Sequence, residues 1–115
     1  AHHRHKADHP SGTAVRLAET LLEELSGKDG WSTELPDGPV DPSLLQVSVV
    51  RAGEEPGTHV VGLDGPDDRI EIRHSARSRA GFARGALAAA EWIRGREGVY
   101  TLEDMLAERF GPEGG

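Results

Sequence analysis

The chain reads as a small α+β domain, with a mainly antiparallel or mixed sheet and helices packed on one of its faces. Apolar residues recur at helical spacing in three stretches, and apolar and polar residues alternate in others. Clusters of Gly, Pro and Asp separate the stretches. With 115 residues, 36% hydrophobic and 4% aromatic, the chain has room for one ordinary domain whose core is aliphatic and modest.

The first helix is predicted over about Gly12 to Leu25, from Ala14, Leu17, Ala18, Leu21, Leu22 and Leu25, with Ser11 as N-cap and Gly27 as its stop. Residues 29–42 read as a loop with one short extended piece. Leu45, Val47 and Val49 alternate with Gln46 and Ser48, predicting a half-buried strand to about Arg51. Thr58–Leu63 and Arg69–His74 follow as two more strands, joined through Asp64-Gly65-Pro66-Asp67. Short links between three sequential strands predict antiparallel pairing. Ser78 is expected to cap a second helix ending near Gly95, with Phe82, Ala86, Leu87, Ala90 and Ile93 as its apolar stripe and Gly81-x-x-x-Gly85 as a close-packing feature. A third helix, Leu102–Phe110, has Thr101 as its cap, and residues 111–115 read as a frayed tail.

Ahead of the first helix stands His2-His3-Arg4-His5-Lys6, five cationic or protonatable side chains in five positions, followed by Ser11-Gly12-Thr13 at a helix N-terminus. Unpaired amides and the helix dipole attract anions there, so the natural ligand is a small anion. Crowded cations lower one another's pKa, which makes Lys6 or a neighbouring histidine a candidate proton donor. The bland alternatives are a tag remnant or a solvated basic end, and for Ser11-Gly12-Thr13 a plain helix cap. A zinc site from three imidazoles is disfavoured by Arg4 and Lys6. His59 and His74 read as satisfied sheet residues, and Trp31 and Trp92 as packing residues.

A net charge of −7 argues against nonspecific nucleic-acid and membrane-surface binding. Without cysteine there is no disulfide framework, which suits a cytoplasmic protein. No run is long and apolar enough for a membrane-spanning helix, and no secretory signal pattern is found. The missing initiator Met and the motif at the second residue predict a fragment, a processed chain or an isolated domain.

His2-His3-Arg4-His5-Lys6-x-Asp8-x-Pro10-Ser11-Gly12-Thr13-Ala14 closely resembles the signature of the 4-hydroxy-tetrahydrodipicolinate reductase (dihydrodipicolinate reductase) family. Further matches are Arg51-Ala52-Gly53, Arg69-Ile70-Glu71-Ile72-Arg73-His74, and Ser78-Arg79 leading into Phe82-Ala83-x-Gly85-Ala86. The match fades in residues 29–43, and Gly57-Thr58-His59-Val60 stands where the family has Gly-Glu-His-Thr. The resemblance implies the substrate-binding and oligomerising part of an NAD(P)H-dependent reductase of the lysine and diaminopimelate pathway. His2 would be the proton donor/acceptor and Lys6 the proton donor, while His3, Gly12 and Thr13 would hold a dicarboxylate substrate. It further implies a homotetramer built through the sheet. Residues 1–78 would form the substrate-binding and oligomerisation part, and 79–115 would be helices that pack on a nucleotide-binding domain outside the chain. The chain has no G-x-G-x-x-G after a strand, so NADPH or NADH would be bound mainly by that other domain. The rival reading is a non-catalytic module that binds small dicarboxylates or a protein.

Overall fold

The computed structural model describes residues 1–111, so all but the first residue of the predicted tail lies outside the described residues. Its elements run α1 (Gly12–Glu24), β1 (Gly30–Ser32), β2 (Leu44–Gln46), β3 (Thr58–Asp64), β4 (Arg69–Ser75), α2 (Ala80–Trp92) and α3 (Leu102–Phe110). The α+β class holds, with the strands divided between two two-stranded sheets. Two compact units follow one another, Ala1–Arg77 and the helical part from Ser78 onward.

In the first unit, α1 begins where expected because Ser11 is extended and its Oγ accepts the Ala14 N–H at 3.1 Å. Its Ala14, Leu17, Ala18 and Leu21 face inward, over a cavity of about 700 Å³ walled on the other side by residues 45–51 and 58–62. The hairpin of β3 and β4 has the expected antiparallel register, pairing His59 with His74 and Val61 with Ile72.

Two strand expectations need correction. The stretch predicted as one strand over 45–51 forms a ladder only across Leu44–Gln46, and its partner is the short extended piece β1, in parallel. Alternating burial continues through Val49, so side-chain patterning outlasts the hydrogen-bonded ladder. The segment that follows β2 does not pair with β3, because Ala1 and His2 lie between residues 50–52 and Thr58. The Ala1 nitrogen donates to the Thr58 carbonyl at 2.6 Å and Thr58 N–H returns a bond to the Ala1 carbonyl at 2.8 Å. On the other side, His2 N–H donates to Val50 O (3.0 Å) and Ala52 N–H to His2 O (3.2 Å), making a single parallel bridge between His2 and Arg51.

In the second unit, Ser78 does not cap α2. The N-cap is Arg79, with no side-chain bond, while Ser78 Oγ accepts from Ala80 N–H in the turn just before the helix. The helix ends at Trp92, short of Gly95. The predicted stripe of Phe82, Ala86, Leu87, Ala90 and Ile93 is exposed, and Ala88, Ala89 and Trp92 are half-buried instead. Built Cβ atoms on Gly81 and Gly85 would meet nothing within 4 Å, so no close helix packing occurs there among the described residues. The contacts between α2 and α3 gather around the later end of α2. Trp92 meets Tyr100 edge-on at 5.4 Å, and the Arg96 guanidinium lies 3.9 Å over the Trp92 ring while bonding Glu108 at 2.8 Å. Helix α3 matches its expectation, with a full capping box between Thr101 and Asp104.

Apolar burial is sparse. Ala18 and Met105 are the buried apolar residues among those described, and every residue of β4 is exposed.

Candidate functional site

The basic cluster folds as a tight loop that the following segments hold from outside. Arg4 N–H donates to Gly53 O (3.0 Å), Lys6 N–H to His3 O (3.2 Å), and the Arg51 guanidinium reaches across to the Asp8 carbonyl at 2.9 Å. Arg4 and His5 are exposed and lie 3.8 and 3.5 Å from Glu54. Both face water, so these pairs are weak restraints.

The five predicted site residues do not all share one space. His2 is buried at 6% exposure and, with Ser11, forms part of the cavity wall beneath α1. His3, Lys6, Gly12 and Thr13 are not among the cavity's walls. His3 is half-buried, and Gly12 and Thr13 are exposed in the first turn of α1. At this end of the helix Ala14 N–H donates to Ser11 Oγ and Val15 N–H to Ser11 O. The Gly12 and Thr13 amides therefore remain open to an anion. The Lys6 ammonium lies 2.9 Å from the Asp8 carboxylate, whose pKa falls chiefly through that hydrogen bond.

His2 is placed by backbone pairing and by what its ring touches. Its imidazole meets His59 edge-on, with centroids 5.1 Å apart and planes at 70°. The ring also lies close to Gly57, where an added Cβ would stand 3.1 Å from Nε2 and where φ is +154°. Both features favour glycine at this position. Burial is the largest cause of a lowered pKa for His2, aided by His59, the chain's amino group, Lys6 and Arg51. His59 is lowered as well, first by burial and then by the amino group, His74, Arg51 and Lys6. At neutral pH both imidazoles are therefore neutral, so the His2 ring has a nitrogen lone pair that can accept a proton.

Three residues of this region carry contacts that sequence alone does not assign: Asp8 is one position of the motif, Arg51 part of a shorter match, and His59 a strand residue. His59 Nε2 stands 3.0 Å from Ser11 Oγ, a contact across 48 positions that no local pattern announces. Among the described residues no group of three or more His, Cys, Asp or Glu is placed to hold a metal ion. No described helix is long and apolar enough to cross a membrane.

Comparison with known proteins agrees with the motif. Residues 1–106 match the family model described as dihydrodipicolinate reductase, C-terminus. The 4-hydroxy-tetrahydrodipicolinate reductase of Christiangramia forsetii is 40% identical over 109 residues, covering 95% of this chain and 44% of that protein. The reductase of the same name from Neisseria meningitidis serogroup A is 43% identical over 110 residues, 91% of this chain and 40% of the relative. The one from Methanosarcina mazei is 44% identical over 110 residues, 92% and 40% respectively. The chain thus spans about two-fifths of the length of these relatives. By the extent of the family match and by these identities, the chain belongs to the dihydrodipicolinate reductase family and corresponds to its C-terminal part.

Proposed function

We propose that this chain is the substrate-binding and proton-transferring part of an NAD(P)H-dependent 4-hydroxy-tetrahydrodipicolinate reductase of the lysine and diaminopimelate pathway. The observation that carries the reading is the pairing of two features on one short loop: a buried neutral imidazole, His2, and an ammonium, Lys6, immediately before a capped helix with open Gly12 and Thr13 amides. A dicarboxylate suits such a place. One carboxylate would take the two amides and the Thr13 hydroxyl, and the side chains of His3 and Lys6 would hold the other.

The residues present do not fit a nicotinamide cofactor: the chain has no glycine-rich turn between a strand and a helix to cradle its pyrophosphate. NADPH or NADH, which would supply hydride, is assigned to the part of the longer polypeptide that this chain does not include. The role of this chain is to bind and orient the substrate and to manage protons. Lys6 gives one where negative charge develops, and His2 accepts or relays one.

The open sheet supports two proposals about assembly. A segment running into Ala1 in the same direction would continue both ladders. Stepping back two residues from His2 brings Ser48 O and Val50 N–H within reach, and stepping back two from Ala1 brings Val60, so one strand at normal spacing would fill the cavity between residues 47–50 and β3. The outer face of the hairpin, with Ile70 at 56% and Ile72 at 63% exposure, supports association of copies through the sheet into a homotetramer.

The test of the function is a calorimetric titration of the full polypeptide with pyridine-2,6-dicarboxylate, using wild type and Lys6→Ala. Binding that weakens in the variant and with rising salt is expected. Equal affinity would remove Lys6 from the site.

A further inference from the structure

We propose that His59 is a positioning residue for the proton-transfer site, bracing the His2 imidazole from β3 with its ring while its Nε2 ties to the Ser11 hydroxyl that caps α1. The proposal rests on the reductase reading above and adds a residue to it.

The geometry leaves few other ways to hold His2. No side-chain hydrogen bond to its ring is found among the described residues, so the ring is set by what it touches. It lies close to Gly57, where a Cβ would stand 3.1 Å from Nε2, and meets the His59 ring in a T-shaped contact. The Ser11 contact in turn orients His59. Ser11 Oγ already accepts the Ala14 N–H, which leaves its own proton free to be donated to His59 Nε2 at 3.0 Å. That direction requires a neutral His59 with its proton on Nδ1, as burial favours. One chain of contacts therefore joins the α1 N-terminus, which would hold a carboxylate, to the imidazole that would move a proton. The groups that share this environment are cationic or become so: Lys6, Arg51, the amino group of Ala1 and His74, with Glu55 and Arg73 facing Ala1. A protonated His59 would add one more cation 5.1 Å from His2, so its neutrality also preserves the acceptor.

Two substitutions separate the ring contact from the hydrogen bond. His59→Phe keeps an aromatic edge against His2 and loses the bond to Ser11. His59→Gln keeps a polar atom near Ser11 and loses the ring. In the full polypeptide, His59→Gln should lower kcat by about tenfold with KM within about twofold, because a loosened general base is mispositioned in the transition state. His59→Phe should hold kcat within about threefold and raise KM a few-fold, through the loosened cap of α1. The His2 ring resonances, followed by NMR across pH, should move upward in pKa in His59→Gln, where the ring is better hydrated. Wild-type kcat and an unchanged His2 titration in a folded His59→Gln protein would overturn the proposal, as would equal losses of kcat and KM in both variants. If wild type itself shows no reductase activity, the reductase reading fails, and the His2 titration alone then decides whether His59 braces His2.

Discussion

The Lys6 ammonium nitrogen lies 2.9 Å from Asp8 Oδ1, and the carbonyl of the same Asp8 is gripped by Arg51. Asp8 thus connects the segment between β2 and β3, through Arg51, to the cation proposed to meet substrate. A substrate carboxylate that engages Lys6 competes with Asp8. In Asp8→Asn, pyridine-2,6-dicarboxylate should bind a few-fold more tightly and with a steeper dependence on salt, as calorimetry at two ionic strengths would reveal. Unchanged binding would mean that Asp8 and the ligand do not contend for Lys6.

Gly57 tests how closely His2 is held. An alanine there would put a Cβ 3.1 Å from His2 Nε2 at a φ of +154°, which side chains rarely adopt. Gly57→Ala should lower stability by about 1 kcal/mol or more, read from the denaturant midpoint. It should also depress kcat. A variant as stable and active as wild type would show that the ring has room to spare.

Acid should loosen the same region. His2 and His59 have folded-state pKa values below their ordinary ones, so their contribution to stability is complete above the unfolded histidine value of about 6.5 and is lost as pH falls beneath it, toward the folded values. Melting temperature followed from pH 7.5 to 5 should fall, and fall less in His59→Gln. Equal slopes for the two proteins would contradict neutral burial of His59.

Amide exchange tests the proposed strand slot. In the full polypeptide the amides of Val50 and Val60 should be protected, because the ladders set by Ala1 and His2 continue through them. In the isolated chain they should exchange quickly. Fast exchange in both would leave the cavity beneath α1 without its proposed strand.

Local signals explain which parts were legible in advance. The Ser11 cap, the Thr101 capping box and the β3–β4 hairpin each depend on residues a few positions apart, and each formed as read. The failures share a cause in distance along the chain. Alternation at 45–49 announces a buried face but not a partner, and the partner of β2 proved to be β1, while β3 met Ala1. At the site, the motif pointed to His2 and Lys6 themselves. It was silent about Arg51 gripping Asp8 across 43 positions and His59 meeting Ser11 across 48. The helix stripe around Phe82 and Leu87 was real as a pattern, yet the pattern alone does not say which face the neighbouring helix takes.

If His2 and Lys6 move protons during reduction, as proposed, steady-state oxidation of NADPH or NADH by the full polypeptide with 4-hydroxy-tetrahydrodipicolinate will register the loss of either. His2→Ala and Lys6→Ala should each lower kcat by about a hundredfold or more with a smaller change in KM, the usual extent of general acid–base catalysis. Thr13→Ala should act mainly on KM. Turnover at the wild-type rate in either the His2 or the Lys6 variant would contradict the account.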